Sequence, residues 1–175
     1  MPLRPFQDAN PIIAPSAYVD ASAVIIGSVT LGEDSSIWPG CVLRGDVNDI
    51  RIGARTNIQD ASIIHVTHRS RELPDGFATI VGDDVTVGPR VILHGCTIEA
   101  RCLVGMGSIV LDGAVLRSGV LLGAGSLVPG GRELEGGFLW VGQPAKKIRR
   151  LSEAEMARFD YDARHYVTLK NRYLE

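Results

Sequence analysis

Two histidines stand at matching places in the sequence. His65 follows Ile64 and His94 follows Leu93, so each histidine closes a short aliphatic run. Arg44 follows another aliphatic residue in the same way. Imidazole nitrogens bind zinc and iron well when two of them face one point. The pair therefore predicts a metal site if the fold brings the two side chains together, and otherwise a surface stack of two histidines.

The positions before these residues belong to a repeat of six. From Ile13 every sixth residue is Ile, Leu or Val, and the series restarts at Ile52, Val81 and Ile98 and ends at Val128. An ordinary β-sandwich would show a period of two instead. A period of six predicts a parallel β-helix, an all-β fold in which stacked coils share one narrow core.

Small residues occur four positions after the aliphatic ones, and glycine often follows the aliphatic residue directly. The small positions include Cys41, Val47, Ser62, Val91 and Cys102. We expect the aliphatic side chains to fill the interior, the small ones to fit the corners, and glycine to supply corner dihedrals. Three hexads make one triangular coil, so the repeats predict about six coils spaced about 4.8 Å apart.

The repeat is predicted to stop after Val128. Residues 130–150 are a Gly-rich, basic connector, and Ser152–Glu155 is a capping box that begins a helix. Apolar residues then recur at helical spacing at Met156, Phe159, Ala163, Tyr166 and Tyr173. We therefore expect a β-helix with its connector over residues 1–150 and a C-terminal helix packed on it over residues 151–175.

The register of the repeat predicts where side chains lie in space. Arg44, His65 and His94 occupy the same place in three successive coils, so they should point outward from one edge at intervals of about 4.8 Å. The segment 66–80 interrupts the repeat beside that edge and carries His68. In the next column, Asp60 lies one layer below Pro89.

Arg44-Gly45-Asp46 places a guanidinium and a carboxylate at the same edge. Together with Asp60 they predict a salt bridge, either within one chain or across an interface. An ordinary surface pair of little energetic weight is the alternative.

Bulk composition excludes several classes of function. The 18 basic and 20 acidic residues nearly balance, which gives no electrostatic case for nucleic acid or an anionic membrane. No apolar run reaches the length of a membrane span, and the N-terminus lacks an apolar signal-peptide core. The three cysteines form no CxxC motif and are expected to be small buried residues. A soluble cytoplasmic protein is the expectation.

The sequence resembles the γ-class carbonic anhydrases, in particular their bacterial branch. The resemblance covers nearly the whole chain and rests on R-G-D at 44–46, N-I-Q-D at 57–60, S-I-I-H at 62–65, V-T-V-G at 85–88, L-H-G-C at 93–96, V-G-M-G-S at 104–108, L-W-V-G-Q-P-A at 139–145 and H-Y-V at 165–167. It implies a left-handed β-helix that assembles as a homotrimer, with a zinc or ferrous iron site at each subunit interface.

The resemblance also implies how the metal is held. Two histidines of one chain, here His65 and His94, act with a third from the neighbouring chain, in the pattern V-G-H-x-x-x-L-H. This sequence reads V-G-P-R-V-I-L-H, so Pro89 stands at the third position and offers no ligand atom. We expect metal binding to be weakened, with His68 in the loop as a substitute ligand to be tested.

Other roles follow from the same resemblance. Gln59 would orient the attacking hydroxide, Asn57 would lie close to the substrate pocket, and Tyr166 would support the site from the C-terminal helix. Val47 stands where some members place a catalytic glutamate, and Glu72 in the loop is a weak replacement. Arg44, Asp46 and Asp60 would form a polar network between subunits.

Three functions remain in view. The first is reversible hydration of carbon dioxide to bicarbonate by a metal-bound hydroxide, weak or absent because of Pro89. The second is a non-catalytic trimeric scaffold or binding protein of the same family. The third is a hexapeptide acyltransferase using acyl-coenzyme A, because residues 141–146 resemble a loop near the cofactor in such enzymes; a simple turn into the helix explains that stretch equally.

Overall fold

The computed structural model describes residues 3–175 as a three-sided parallel β-helix followed by one helix. Each coil contributes a strand segment to each of three faces, and these segments pair in parallel with those of the coils above and below. The predicted fold, an all-β left-handed β-helix with a C-terminal α-helix, is confirmed.

Each face stacks seven strands. Face one consists of β1 (Leu3–Arg4), the first half of β4 (Val24–Leu31), the first half of β6 (Val42–Ile52), β8 (Ile63–His65), β11 (Ile92–His94), β14 (Ile109–Val110) and β17 (Leu127–Val128). Face two consists of β2 (Ile12–Ile13), the second halves of β4 and β6, β9 (Thr79–Val81), β12 (Thr97–Ile98), β15 (Val115–Leu116) and β18 (Glu133–Leu134). Face three consists of β3 (Tyr18–Val19), β5 (Ser36–Ile37), β7 (Asn57–Ile58), β10 (Thr86–Val87), β13 (Leu103–Val104), β16 (Leu121–Leu122) and β19 (Phe138–Gly142).

The aliphatic series forms the interior as predicted. Every position of the series from Ile25 to Val128 is at most 2% exposed, whereas Ile13 and Val19 in the first coil are partly buried. Burying one such side chain stabilises the fold by roughly 1.5–3 kcal/mol, so the stacked interior is the main source of stability.

One predicted corner residue is wrong. Val47 is 44% exposed, while corner residues such as Cys41, Ser62 and Val91 are fully buried. The pairing of β4 with β6 shifts between Gly27 and Val29, which leaves residues 46–49 as an outward bulge. Extra residues in one coil must leave the ladder, because the coils above and below fix its register.

The glycines that follow interior residues allow the backbones of adjacent coils to approach closely. The sequence had predicted that they would instead supply the corner dihedrals. At Gly88 a Cβ atom would lie 2.7 Å from the backbone nitrogen of Met106 in the next coil. The left-handed backbone comes two residues later, at Arg90 with φ 57°. Glycine is needed where backbones of adjacent coils nearly touch, because any side chain would separate the layers.

The coil continues past Val128, contrary to the prediction. Leu134 and Trp140 occupy the next two interior positions at 0% and 6% exposure, and Phe138–Gly142 turns back through the antiparallel strand β20 (Ala145–Arg150). Only the antiparallel strand β20 follows this coil, on face three, so no complete coil closes over it and the indole has room that a central coil lacks. The hexads alone therefore underestimate the number of coils.

Helix α1 (Glu153–Leu174) begins at the predicted capping box, with Ser152 as N-cap and Glu155 returning the bond. It packs on face three, against β3, β5 and β10, and buries Phe159 and Ala163. Lys170, which the apolar pattern did not mark, is buried and pairs with Asp34 at 2.9 Å. No helix within residues 3–175 is long and apolar enough to cross a membrane.

Candidate metal centre

The two histidines lie one above the other on face one. His65 and His94 are direct partners in the pairing of β8 with β11, and Ile64 pairs with Leu43 below and Leu93 above. Their ring centroids are 5.2 Å apart with a 76° angle between planes. The predicted column of outward side chains is therefore present, since strand pairing transmits the register from coil to coil.

His65 is held by the backbone of the coil below. Its Nδ1 atom lies 2.6 Å from the carbonyl oxygen of Arg44. A carbonyl oxygen can only accept, so Nδ1 carries the proton and donates. This leaves Nε2 unprotonated in the neutral ring, which is the form that binds a metal.

His94 is held by a residue that the sequence reasoning missed. Its Nδ1 atom lies 2.5 Å from Oδ1 of Asp112, a carboxylate in the coil above. The register of the repeat could have identified this residue. Val110 pairs with Leu93, so Asp112 reaches the corner directly over Gly95. His65 and His94 thus bond through the same ring nitrogen, although their partners differ.

Arg44 and Asp46 complete this edge. Nη1 of Arg44 donates to Oδ2 of Asp46 at 2.7 Å, so the salt bridge here lies within the chain. Oδ1 of Asp46 is buried, lies 3.9 Å from Nδ1 of His65, and has no hydrogen-bond partner among the residues described. We call this cluster the histidine edge; its members are Arg44, Asp46, His65, His94 and Asp112.

Three other predicted residues lie together on a different face. Asn57 and Gln59 belong to the strand and corner of β7 on face three, and both are buried. Nε2 of Gln59 donates to Oδ1 of Asn57 at 3.0 Å, and Nδ2 of Asn57 donates to Oγ1 of Thr86 at 3.0 Å. Asp60, the next residue, is exposed.

Tyr166 approaches this group from α1. Its ring packs edge-on against Trp38 at a centroid distance of 5.6 Å. Burial raises the pKa of the Tyr166 phenol, and the charges of Asp60 and Asp162 raise it further. The phenol is therefore kept neutral at pH values where an exposed tyrosine begins to ionise.

Pro89 occupies the corner above Asp60. The amide of Arg90 donates to the carbonyl of Asp60, and the amide of Gly107 donates to the carbonyl of Pro89, both at 2.9 Å. Beside Pro89 an open, mainly apolar groove of about 330 Å³ runs along four coils, lined also by Gln59 and Met106. We call the group of Asn57, Gln59, Asp60 and Pro89 the proline edge.

Known proteins resemble this chain over its whole length. Residues 10–45 match the family model described as bacterial transferase hexapeptide (six repeats). Protein YrdA of Escherichia coli K12 is 54% identical over 99% of this chain and 94% of its own length. A carbonic anhydrase of Geobacillus kaustophilus is 44% identical over 94% of this chain and 87% of its own.

The chain belongs to the γ-carbonic-anhydrase-like family of hexapeptide-repeat proteins. A crystal structure of a hexapeptide transferase family protein from Anaplasma phagocytophilum superposes with a TM-score of 0.91 at 41% identity, covering 98% of this chain and 97% of the other.

The family resemblance implies that the third histidine ligand would stand at position 89, on the proline edge and away from His65 and His94. The histidine edge belongs to the sheet of β8 and β11, and the proline edge to the sheet of β7 and β10. Within residues 3–175, no three His, Cys, Asp or Glu side chains are grouped to hold a metal. His68 and Glu72 are both exposed in the inserted loop.

Proposed function

We propose that this protein is a γ-carbonic-anhydrase-like trimer whose site combines the histidine edge of one subunit with the proline edge of the next. Its reaction is the reversible hydration of carbon dioxide to bicarbonate, at a rate that Pro89 makes weak or absent. One observation carries the proposal: His65 and His94 both bond through Nδ1, which leaves both Nε2 atoms available, while Asn57, Gln59 and Pro89 lie on a different face of the same chain.

An outer row of aliphatic residues supports assembly through face one. Ile63 and Ile92 are 45% and 36% exposed and stand directly beside the histidine column. The row continues in register over six coils, as Val24, Val42, Ile63, Ile92, Ile109 and Leu127. Such a continuous apolar row is typical of a surface that another subunit covers.

The donor set of the histidine edge fits a zinc or ferrous iron ion only in part. His65 and His94 would hold the ion through Nε2, and the uncompensated Oδ1 of Asp46 adds negative charge near by. A catalytic zinc site normally has three protein ligands, and zinc supplies the Lewis acidity that makes water nucleophilic near neutral pH. With proline at the third position, we expect weak binding.

The proline edge retains groups that bind and orient a small substrate. Gln59 uses its amide NH₂ on Asn57, which leaves its carbonyl oxygen to accept from water or bicarbonate. Buried amides joined in this way keep one orientation, because rotation would break the bonds to Asn57 and Thr86. The apolar groove next to Gln59 suits carbon dioxide, which has no net dipole.

Replacing Pro89 by histidine tests the proposal. Bound zinc per subunit and carbon dioxide hydration are measured for the native protein, Pro89→His and the matched control Arg90→His, which adds a histidine one residue away. We expect Pro89→His alone to hold about one zinc per subunit and to hydrate carbon dioxide faster. A native protein that already holds one tight zinc and hydrates rapidly would contradict the role given to Pro89.

The second candidate is a non-catalytic trimeric binding protein, and Pro89 favours it. It predicts a stable trimer without hydration activity, in which Pro89→His gains zinc. Native mass measurement tests the assembly, and a monomer would contradict both this candidate and the first.

The three cysteines are buried and free, which supports a reducing compartment such as the cytoplasm.

The third candidate, acyl transfer from acyl-coenzyme A, gains support from two observations. The groove beside Pro89 is long enough to span four coils. The His94–Asp112 pair leaves Nε2 free, which is the arrangement of a general base for an acceptor hydroxyl or amine. A thermal shift with acetyl-coenzyme A that is lost in Met106→Glu would favour this candidate, and no shift would count against it.

A further inference from the structure

The carboxylate of Asp112 is fixed at both of its oxygens. Oδ1 accepts from Nδ1 of His94 at 2.5 Å, and Oδ2 accepts from Oγ1 of Thr67 at 2.6 Å. The three residues come from three separate parts of the sequence, which the coils bring together at one corner. Because both oxygens are engaged, the carboxylate has one orientation toward the imidazole.

The inserted loop builds the support of this carboxylate. Thr67 and Phe77 exchange backbone hydrogen bonds of 2.9 and 3.0 Å, which closes the base of the loop. Nδ2 of Asn48 donates to the carbonyl of Thr67 at 3.0 Å and ties the loop to the bulge of β6. The threonine hydroxyl is therefore held by well-bonded backbone.

The glycine after His94 makes the approach possible. A Cβ atom at Gly95 would lie 2.6 Å from Cβ of Phe77 and would also collide with Oδ1 of Asp112. Gly95 has φ 58°, a conformation that other residues adopt at a cost. The L-H-G segment thus brings His94, Asp112 and the loop into contact.

We propose that Asp112 is a positioning residue, which holds His94 in the tautomer with the proton on Nδ1 and so presents the Nε2 lone pair to the site. The hydrogen bond that one ring nitrogen makes decides which nitrogen carries the proton. A neutral imidazole in water prefers the proton on Nε2, so the protein must impose the other form. The use of this lone pair for a metal rests on the proposed function.

The tautomer is measured on the metal-free protein. Histidine labelled with nitrogen-15 is observed by long-range proton–nitrogen NMR at about pH 8.5, where an ordinary imidazole is neutral. Single His→Gln variants assign the four rings. We expect His94 and His65 to show the proton on Nδ1 in the native protein.

Asp112→Ala is expected to return His94 to the Nε2-protonated form, with His65 unchanged because its partner is the Arg44 carbonyl. Asp112→Asn keeps an acceptor oxygen and should keep most of the native tautomer. Glu133→Gln, an exposed carboxylate-to-amide change on face two, serves as the matched control. His65 reports in every sample whether the site is still folded.

A second readout uses zinc affinity in the Pro89→His background. Loss of a hydrogen-bond partner of a metal-bound histidine typically weakens binding about 10–100-fold. We expect that loss for Asp112→Ala, a smaller one for Asp112→Asn, and none for Glu133→Gln. If His94 carries its proton on Nε2 in the native protein, or keeps Nδ1–H in Asp112→Ala, the inference is wrong. Absence of zinc binding in every variant would instead overturn the proposed function and leave the tautomer result standing.

Discussion

The histidine edge and the proline edge are built on the same core but differ in the metal-binding groups that they carry. On the histidine edge, His65 and His94 are each oriented by a hydrogen bond to Nδ1. On the proline edge, the buried amides of Asn57 and Gln59 are bonded to each other, and the corner above them carries Pro89, which offers no ligand atom to the proposed metal site.

The corner itself explains why proline is tolerated there. Pro39 occupies the equivalent corner two coils below, as the bonds from Ala61 to Pro39 and from Arg90 to Asp60 show. The next residue in each corner, Gly40 or Arg90, has positive φ. This is the pattern of a type II turn, whose second position favours proline. Proline is therefore accommodated at this position without strain in the fold.

Mixed trimers would give the largest effect. A chain carrying Pro89→His together with His65→Ala and His94→Ala has only the repaired proline edge, while the native chain has only the histidine edge. Co-expressed with different affinity tags, they should form assemblies that bind zinc tightly, at about one ion per mixed trimer, because one interface in each mixed trimer joins a native histidine edge to a repaired proline edge. Metal analysis of both homotrimers is the control. Tight zinc in the triple-variant homotrimer would show that the edges do not combine in this way.

The second largest expected effect is the loss of stability when a side chain of the shared core is truncated. Leu93 precedes His94 in β11, and its side chain is fully buried in the interior. Leu93→Ala removes most of this tightly packed side chain. The free energy of unfolding should fall by about 2–5 kcal/mol. Val47→Ala, at an exposed position, should leave it nearly unchanged. Denaturant unfolding at equal protein concentration measures both, and a loss below about 1 kcal/mol for Leu93→Ala would show that the coils collapse around the cavity.

Removal of the loop contact should have a smaller effect, confined to the histidine edge. Thr67→Val deletes the donor to Oδ2 of Asp112, and one such hydrogen bond is worth about 1 kcal/mol. In the Pro89→His background we expect zinc affinity to fall about fivefold. Thr30→Val, at an exposed position of β4 on face two, removes a hydroxyl outside both edges and serves as the matched control. An equal fall in both variants would indicate a general loss of packing.

The smallest predicted effect concerns Tyr166 beside the proline edge. Its pKa is raised by burial first and by Asp60 second. Because the folded pKa lies above the unfolded value near 10, the stabilisation is complete below that pH and is lost as pH rises through the folded pKa. Asp60→Asn should lower the pKa in part, and Asp162→Asn should lower it less.

Ultraviolet titration of the phenolate measures this change, with Tyr166→Phe identifying the signal. An unchanged pKa in Asp60→Asn would mean that Asp60 does not act on the phenol.

Much of the fold was readable in the sequence because each coil repeats one local rule. The six-residue series places Leu43, Ile64 and Leu93 in one column, so it also places Arg44, His65 and His94. Predictions from the series were wrong at the C-terminal end of the β-helix and where extra residues interrupt a coil. Val47 left the corner because the bulge of β6 interrupts the register, and Trp140 was overlooked because a terminal coil accepts a larger residue.

The sequence by itself determined the β-helix and the alignment of the two histidines, because both follow from a fixed period along the chain, while the expectation of a third histidine at position 89 came from the family resemblance. The tertiary structure decided what orients the histidines. Asp112, Thr67 and His94 meet only where an inserted loop folds back over the next coil, and no period in the sequence encodes the path of that loop. It also decided that residues 46–49 bulge outward beside His65, because the coils on either side fix the register and the extra residues have no place in the ladder.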